Sequence, residues 1–430
     1  MDATQSGSGF PEIRVPTALT FAALVLGFLA GTMLQGTAVL EPLLAFAEPA
    51  GKLWLRALQL TILPLVIGLV YTGISQTLAA AGGGLLARRA VGLFCIVLLA
   101  SGTMSAILTS TLLGVAPIPA SATAALSGGA AEAGKVPGVS DILFAMMPDN
   151  IFAAAAAGAM LPMVLFVALF ALAATKLAAA PRKSLATLFE GLAGAMMVIV
   201  GWVLMLAPIG VFGLAMALGS KTGADAVGAL AHYILIVSAA GLVVLIAGYV
   251  LALTMGGQTL RGFARAMLPV HAVAISTQSS LACLPAMLVA TRKLGVREPT
   301  ADFVLPLAVA IFRATSPAMN VAVAIYAAHL TGVELSPLAL AAGVLVAFLV
   351  SLSSVSLPGT ISFVVSVGPI AMAMGVPVAP LGLLVAVEML PDLMRTLGNV
   401  TMDVAVTATV DRKSAQSGAA IPSPQWGEDT

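Results

Sequence analysis

The sequence predicts an all-α polytopic membrane protein, and three observations support this fold class. Of its 430 residues, 60% are hydrophobic and 9% are charged, and the mean hydropathy is +1.09. Apolar runs of about 20 residues, the length that crosses a bilayer as a helix, recur along the chain. Two shorter apolar segments are each interrupted by a cluster of serines. We therefore expect about eight transmembrane helices and two helical hairpins that enter the membrane without crossing it.

The long apolar runs define the predicted spans in chain order. They lie at 15–34, 53–74, 90–113, 147–174, 192–218, 229–253, 303–330 and 381–410. The segment 117–142, between the third and fourth runs, is rich in Ala, Gly, Ser and Pro and is predicted to be an extracellular loop. The polar ends, 1–14 and 412–430, are predicted to be cytoplasmic tails.

Basic residues give the predicted orientation of these spans. If the runs alternate in direction, most basic clusters, such as those at 88–89 and 182–183, fall on one side of the membrane. By the positive-inside rule this side is cytoplasmic, and both termini lie there. Lys52 and Arg56 are exceptions, and we expect them in a short outer loop.

The composition also excludes several classes of protein. A net charge of +1 gives no reason to expect a nucleic-acid partner. Cys95 and Cys283 lie far apart in apolar surroundings, which argues against a disulfide framework or a cysteine-based metal site. The chain contains neither HExxH nor GxSxG, so we expect neither an enzyme nor a cofactor.

The two short segments are predicted to form re-entrant hairpins. Their interruptions read STQSSLACLP (276–285) and SLSSVSLPG (351–359). Paired, undersized and interrupted segments indicate a binding site within the membrane, because irregular backbone at that depth must line a cavity or be covered by protein. We place the hairpins at 264–294 and 338–374. The alternative is that Ser and Pro only kink two ordinary spans.

The last apolar run carries a stripe of polar residues. These are Glu388, Asp392, Arg395, Thr396, Asn399 and Asp403. At about 100° per residue they fall within about a third of the helix circumference, so the stripe faces protein or a water-filled cavity rather than lipid. One interpretation is a structural ion pair between Asp392 and Arg395, which leaves two further acids without a base in this helix. The other is a binding site for a zwitterion with an extra acid group, since Arg matches a carboxylate and Asp accepts from an ammonium.

Several motifs taken together resemble one known family. The sequence PDLMRTLGNVTMD (391–403) resembles the last-helix signature of the glutamate transporter homologues, the dicarboxylate/amino acid:cation symporters. SSLACLP and SSVSLPG resemble the tips of their two re-entrant hairpins. LQLTILPLVIGLVYTGIS (58–75), MMPDNIFAAAAAGAMLP (146–162) and LAPIGVF (206–212) resemble their second, fourth and fifth spans. The motifs follow the family's order over nearly the whole chain.

This resemblance implies an elevator-type transporter that assembles as a homotrimer. A scaffold domain, 15–85 and 143–225, would hold the trimer together. A transport domain, 86–116 and 226–411, would carry the substrate through the membrane, with the two hairpins as gates.

The resemblance also implies roles for single residues. Arg395 falls at the position that binds a substrate side-chain carboxylate, and Asp392 at the one that binds an α-amino group. Relatives that carry amine-free dicarboxylates typically have serine at the latter position, so Asp392 favours an acidic amino acid. The further substrate contacts implied are Thr396, Asn399, Ser316, Ser279, Ser280 and the backbone of Ser356 and Leu357.

The chain departs from the family at its sodium positions. Where the seventh span of the family carries Asn-Met-Asp-Gly-Thr, this chain has FRATS (312–316), and an Ala-Ser pair (100–101) stands in place of Thr-Ser. Asp403, a sodium ligand in the family, is retained, as is Asn399. Because hard cations need several oxygen ligands, we expect sodium binding to be weakened or lost.

An arginine has appeared where the family has uncharged methionine. We predict that Arg313 acts as a tethered cation beside Asp403, in place of the metal ion. The alternative is that Arg313 snorkels or stacks on Phe312, away from Asp403.

These inferences predict a secondary active symporter for aspartate or glutamate in the plasma (bacterial inner) membrane. Protons are favoured over sodium as the coupling ion, carried by Glu388 or Asp403, because burial favours the neutral form of a carboxyl group. A C4-dicarboxylate transporter is the runner-up. A non-transporting sensor that retains only the binding site is the alternative from another class.

Overall fold

The structure of the protein is a computed structural model and describes residues 16–82, 84–118, 147–157, 159–222, 225–352 and 359–416. Within these ranges the secondary structure is helical, without a strand, which confirms the all-α fold class. The helices are α1 (Thr17–Met33), α2 (Leu40–Ala81), α3 (Leu85–Val115), α4 (Ile151–Ala156), α5 (Met160–Ala174), α6 (Ala179–Met205), α7 (Ala207–Thr222), α8 (Asp225–Thr254), α9 (Leu260–Thr277), α10 (Leu284–Lys293), α11 (Glu298–Ile311), α12 (Thr315–Thr331), α13 (Pro337–Ser351), α14 (Gly359–Ala373), α15 (Leu381–Leu384) and α16 (Met389–Gln416).

Five helical stretches in the described part of the chain are long and apolar enough to cross a membrane. They are Leu40–Ala81, Leu85–Val115, Ala179–Met205, Gly228–Thr254 and Glu298–Thr331. Shorter apolar helices are Leu19–Met33, Met160–Ala174, Ala207–Ser220 and Pro337–Ser351. Each predicted run coincides with helix, but the fourth, fifth, seventh and eighth runs each contain a break, between α4 and α5, α6 and α7, α11 and α12, and α15 and α16.

A proline explains the break between α11 and α12. Pro317 has no N–H to donate to the carbonyl of Arg313, and its ring would clash with that carbonyl in a continuous helix. The backbone is extended at Phe312 (φ −121°, ψ 108°), and Ser316 N donates to Arg313 O at 2.9 Å as the chain becomes helical again. The break places Arg313 in non-helical backbone beside the last span.

Pro391 has the same effect at the start of α16. It cannot donate to Val387 O, which accepts instead from Leu390 N at 3.1 Å. A turn at 385–388 therefore separates α15 from α16. This turn places Glu388 just before the first residue of α16 rather than within it.

The closest helix contacts form two groups, which also contact each other through α2 and α14. In one, α1 lies on α7, and α2 contacts α5, α6 and α7. In the other, α3 packs on α12 and α13, while α16 packs on α8, α9 and α11. Glycines permit the closest contacts of the first group: a Cβ on Gly27 of α1 would lie 2.5 Å from the carbonyl oxygen of Phe212 in α7. Movement of one group against the other, as scaffold and transport domains, stays a prediction.

The short outer loop predicted around Lys52 and Arg56 was wrong. Both residues lie within α2, a continuous helix of 42 residues. Lys52 Nζ pairs with Glu48 Oε1 at 2.7 Å, one turn earlier, with 65% of the lysine side chain exposed. Charged residues one turn apart can pair on an exposed face of a helix. A local cluster of charges is therefore not evidence for a loop, which is why the prediction failed.

Both predicted hairpins are present as pairs of packed helices. The first consists of α9 and α10, and the second of α13 and α14. At the tip of the first, Gln278 adopts a left-handed conformation (φ 50°), and Ser279 Oγ accepts from Ala282 N at 3.3 Å. At the second, Ser356 and Leu357 lie outside the described residues, as do most of the predicted extracellular loop and tails.

Candidate functional site

The polar face of the last span is buried within the second packing group. α16 contacts α8, both helices of the first hairpin, and α11 and α12 on either side of their break. Arg395 is 4% exposed, Asp392 5%, and Glu388 and Asp403 1% each. Charges this deeply buried are costly unless they are paired, so their partners decide what the site can bind.

Arg395 contacts three side chains. Its Nη2 donates to Glu388 Oε1 at 2.6 Å, and its Nη1 donates to Asn320 Oδ1 of α12 at 3.0 Å. Its Nε lies 3.2 Å from Asp392 Oδ1, an ion pair whose direction falls short of a hydrogen bond. The second oxygen of Glu388 accepts from Tyr233 Oη of α8 at 3.0 Å. One guanidinium is therefore balanced by two carboxylates.

Asn399 connects α16 to the start of α12. Its Oδ1 accepts from Thr315 N at 3.0 Å and from Thr315 Oγ1 at 2.8 Å. Next to it, Thr396 Oγ1 donates to the backbone oxygen of Asp392 at 3.1 Å. The side-chain oxygen of Asn399 is thus already engaged by the protein itself.

Ser316 reaches the arginine through an intermediate. Asn320 Nδ2 donates to Ser316 Oγ at 3.1 Å, while the oxygen of the same amide accepts from Arg395. The hydroxyl of Ser316 therefore orients Asn320, which in turn orients the guanidinium.

Asp403 and Arg313 lie near each other without forming a direct ion pair. Both carboxylate oxygens of Asp403 and the Nε of Arg313 are buried and have no hydrogen-bond partner among the described residues. Arg313, 8% exposed, is close enough to Asp403, Asp392 and Arg395 to interact electrostatically with each. Phe312, its alternative partner, stacks on Phe94 of α3 with ring centroids 4.4 Å apart. The tethered-cation role stays a prediction, and in this geometry Arg313 would act on Asp403 through space.

The tip of the first hairpin lies beside this cluster. Cys283, at the base of the tip, is fully buried and within electrostatic range of Asp403. Ser279 and Ser280 are half-buried on the tip itself. The structure therefore brings one hairpin to the polar face of α16.

Sequence reasoning found the stripe on α16 and missed its partners on other helices. Tyr233, Asn320 and Thr315 all bond to stripe residues, yet they lie on other helices. Polar residues within apolar runs were the available signal. On α3, Ser101 bonds its own helix, while Ser105 donates to Ala318 O of α12 at 2.5 Å.

The arrangement carries groups that match an acidic ligand. A guanidinium flanked by an acid matches a carboxylate next to an ammonium. Among the described residues, acids, histidines and cysteines form no cluster of three or more that could hold a metal. A hard cation there would depend on backbone, hydroxyl and amide oxygens. The oxygen of Asn399 is taken by Thr315, and Arg313 adds a positive charge nearby.

Broken helices, helical hairpins and a buried charged site inside a membrane-spanning bundle define a membrane transport protein. A sequence model of the sodium:dicarboxylate symporter family matches residues 17–413, and the chain belongs to this family. It is therefore an integral membrane transporter and not an enzyme.

Relatives of this chain include symporters for amino acids and transporters for dicarboxylates. The proton/sodium-glutamate symport protein of Bacillus subtilis (strain 168) is 26% identical over 390 residues, covering 89% of this chain and 88% of the relative. The proton/glutamate-aspartate symporter of Escherichia coli (strain K12) is 26% identical over 412 residues, covering 91% and 93%. The C4-dicarboxylate transport protein of Anaeromyxobacter sp. (strain K) is 29% identical over 405 residues, covering 91% and 88%.

Proposed function

We propose that this protein is a secondary active symporter for acidic amino acids, such as aspartate or glutamate, that is driven by protons rather than sodium. The observation that carries the proposal is the buried pairing of Arg395 with Asp392 on one face of α16. An acidic amino acid has a carboxylate for the guanidinium and an ammonium for the aspartate. Relatives named as glutamate and glutamate-aspartate symporters support this substrate class.

The choice of protons rests on the groups around Asp403. A buried carboxylate without a donor is costly when ionised, so this group is balanced either by a proton or by a nearby cation. Arg313 supplies a fixed positive charge at that place, and Thr315 occupies the Asn399 oxygen.

A C4-dicarboxylate is the second candidate substrate. Relatives named as C4-dicarboxylate transport proteins favour it, and Arg395 would bind a carboxylate of either substrate. Asp392 decides between the two, because an amine-free dicarboxylate offers it no ammonium and adds a like charge beside it.

Uptake into liposomes that contain the purified protein tests the proposal. Aspartate, glutamate, succinate and a neutral amino acid are supplied under separate proton and sodium gradients. We expect uptake of an acidic amino acid under a proton gradient alone. Binding without uptake would identify a sensor, and uptake that requires sodium would overturn the proposed coupling.

The substitution Asp392→Ser discriminates the two substrates. Loss of the ammonium partner should reduce aspartate or glutamate uptake at least about tenfold, since a charged hydrogen bond contributes about 1.5–3 kcal/mol. Succinate uptake should fall much less or rise. A wild type that transports succinate and ignores both amino acids would show that the substrate is a dicarboxylate.

The remaining parts of the proposal concern the assembly. We propose a homotrimer in the plasma (bacterial inner) membrane with both termini in the cytoplasm. The scaffold, 15–85 and 143–225, would stay fixed while the transport domain, 86–116 and 226–411, moves the substrate as an elevator. Burial of Arg395 and its partners within the second packing group supports a site carried by one domain.

A further inference from the structure

We propose that Glu388 holds the place of the substrate carboxylate on Arg395, and that the substrate displaces it as Glu388 takes up a proton. This inference rests on the proposed function and names the residue at which proton and substrate binding meet. Glu388 is an internal carboxylate bound to the guanidinium at 2.6 Å. Its release is the event that opens Arg395 to an acidic ligand.

The geometry of the guanidinium carries the first step. A carboxylate binds arginine most strongly along an edge with two parallel N–H groups, and both such edges include Nη2. Glu388 Oε1 occupies Nη2, while the second atom of each edge faces Asp392 Oδ1 (Nε, 3.2 Å) or Asn320 Oδ1 (Nη1, 3.0 Å). A substrate carboxylate can therefore use either edge only if Glu388 gives up or shares Nη2.

Charge carries the second step. An incoming carboxylate would meet ionised Glu388 and Asp392 around a single guanidinium, and carboxylates that share a site cannot all stay ionised. The titratable or charged groups that face Glu388 are Arg395 and Asp392 of α16 and Tyr233 of α8. From α12, Asn320 faces Arg395, and the ring of Tyr326 packs edge-on against Tyr233 at 5.2 Å. Arg313, the second cation of this buried cluster, faces Asp392 and Asp403 rather than Glu388. A proton on Glu388 is therefore the simplest way to remove the repulsion at Glu388.

The position of Glu388 in the chain allows it to move. It is the last residue of the turn at 385–388, and its backbone oxygen accepts the first hydrogen bond of α16, from Asp392 N at 2.9 Å. Release of Arg395 therefore needs only a change of the Glu388 side-chain rotamer, while the backbone stays in place. The exchange is balanced in charge. The Glu388–Arg395 ion pair breaks, a proton from solution neutralises Glu388, and the substrate carboxylate forms the new ion pair.

Asp403 cannot serve the same purpose. It makes no contact with Arg395 in the structure, and neither of its oxygens has a partner among the residues described. A proton on Asp403 would change the charge of the site but would leave Nη2 occupied. Only at Glu388 does protonation remove the group that competes with the substrate for Nη2 of Arg395.

Equilibrium binding of radiolabelled glutamate and aspartate to the purified full-length protein, without sodium and between about pH 5.5 and 8.5, tests the inference. If one proton is taken up with each substrate, the Kd should rise about tenfold per pH unit on the alkaline side. In Glu388→Gln, which keeps the size and an acceptor oxygen, the Kd should change less than about twofold per pH unit. A pH indicator in weak buffer should show proton uptake on binding to the wild type and none to Glu388→Gln.

Two variants keep the test decisive. Asp403→Asn should keep the steep pH slope, whatever its effect on the Kd itself. Tyr233→Phe removes a donor from the ionised form of Glu388, so the proton binds more readily and the decline in affinity should move to higher pH. This second variant retains the carboxylate and replaces Glu388→Gln if that protein does not fold.

The outcomes separate this inference from the proposed function. A pH slope that persists in Glu388→Gln, or that is lost only in Asp403→Asn, would overturn the role of Glu388 while acidic substrates still bind. Affinity independent of pH in the wild type would do the same. A wild type that binds neither amino acid at any pH would overturn the proposed substrate and this inference together.

Discussion

Arg395 is the only base on the buried face of α16 in the described structure, and its partners come from three directions. Substituting it with alanine leaves Glu388 and Asp392 as buried carboxylates and removes the group that reads substrate charge. We expect Arg395→Ala to weaken binding of acidic amino acids by about two orders of magnitude or more, since breaking a buried charge pair costs about 3–5 kcal/mol.

The measurement is the Kd for aspartate and glutamate, with two controls. Arg395→Lys keeps the charge and loses the planar fork, so it should recover only part of the affinity. Arg261→Ala removes an exposed arginine at the start of the first hairpin and should change nothing. Unchanged affinity in Arg395→Ala would mean that the substrate binds elsewhere.

At this scale the sequence predicts residues that share a helix, but not their contacts with other helices. The stripe on α16 was predictable because helical periodicity places its members on one face. Tyr233, Asn320 and Thr315 were not readable, because they belong to other helices and only the three-dimensional packing brings them to Glu388, Arg395 and Asn399. Likewise, the distance between Arg313 and Asp403 depends on how the break before α12 is formed.

At the scale of elements, prolines account for two of the four breaks in the long apolar runs. Hydropathy predicted the runs, but it averages over about 19 residues and does not detect a break of three. Pro317 and Pro391 were the local signals, because each removes a donor and crowds the carbonyl four residues before it. Pro49 and Pro64 lie inside α2, which continues through them, so proline alone does not predict a break.

Helix contact through glycine is testable in α1. A Cβ on Gly31 would overlap the carbonyl oxygen of Met216 in α7 and lie 2.8 Å from Ser220 N. We expect Gly31→Ala to destabilise the protein by about 1–3 kcal/mol, as overpacking does. A Cβ on Gly92 of α3 would have no other atom within 4 Å. Gly92→Ala should therefore leave stability unchanged or raise it by up to about 1 kcal/mol. Thermal unfolding of the two purified variants compares them, and equal stability would show that α1 and α7 are less closely packed.

The first hairpin is predicted to respond to substrate. Ser280 lies half-buried at its tip, three residues before Cys283, which is within electrostatic range of Asp403. In a Cys283→Ser background, the thiol of Ser280→Cys should react at least about threefold more slowly with a polar thiol reagent when substrate is bound, because a closed tip excludes solvent. Ser184→Cys on the exposed face of α6 is the control and should be unaffected. If substrate slowed the reaction of both thiols equally, or of neither, the result would argue against a gate at this tip.

At the scale of the whole molecule, sequence reasoning predicted the all-α fold class, while the number of about eight membrane crossings stays a prediction. It failed for the environment of Lys52, because a charged pair on a helix surface and a charged loop have the same composition. Composition and periodicity alone do not give the contacts between α1 and α7 or between α8 and α16, because these helices lie far apart along the chain. Orientation, trimer assembly and elevator movement stay predictions.

Coupling is a property of the whole molecule, because an ion drives transport only when its binding is linked to that of the substrate. For sodium this linkage needs a site with several oxygens, whereas here Asn399 is engaged by Thr315 and Arg313 adds a positive charge near Asp403. Two unit charges about 6 Å apart at an effective dielectric of about 20 repel by about 3 kcal/mol. We therefore expect replacement of sodium by choline to change the substrate Kd by less than about tenfold.

Arg313→Met tests whether the arginine alone causes the weak sodium dependence of substrate binding. Removing the guanidinium leaves Asp403 without its nearest positive charge, and it supplies none of the missing oxygens. Substrate affinity should therefore fall while sodium dependence stays below about tenfold, because linkage still lacks a site. The Kd of wild type and variant, each measured in sodium and in choline, gives the answer. Steep sodium dependence in the wild type would refute the tethered-cation interpretation, and Arg313 would then have to turn away from Asp403 when sodium binds.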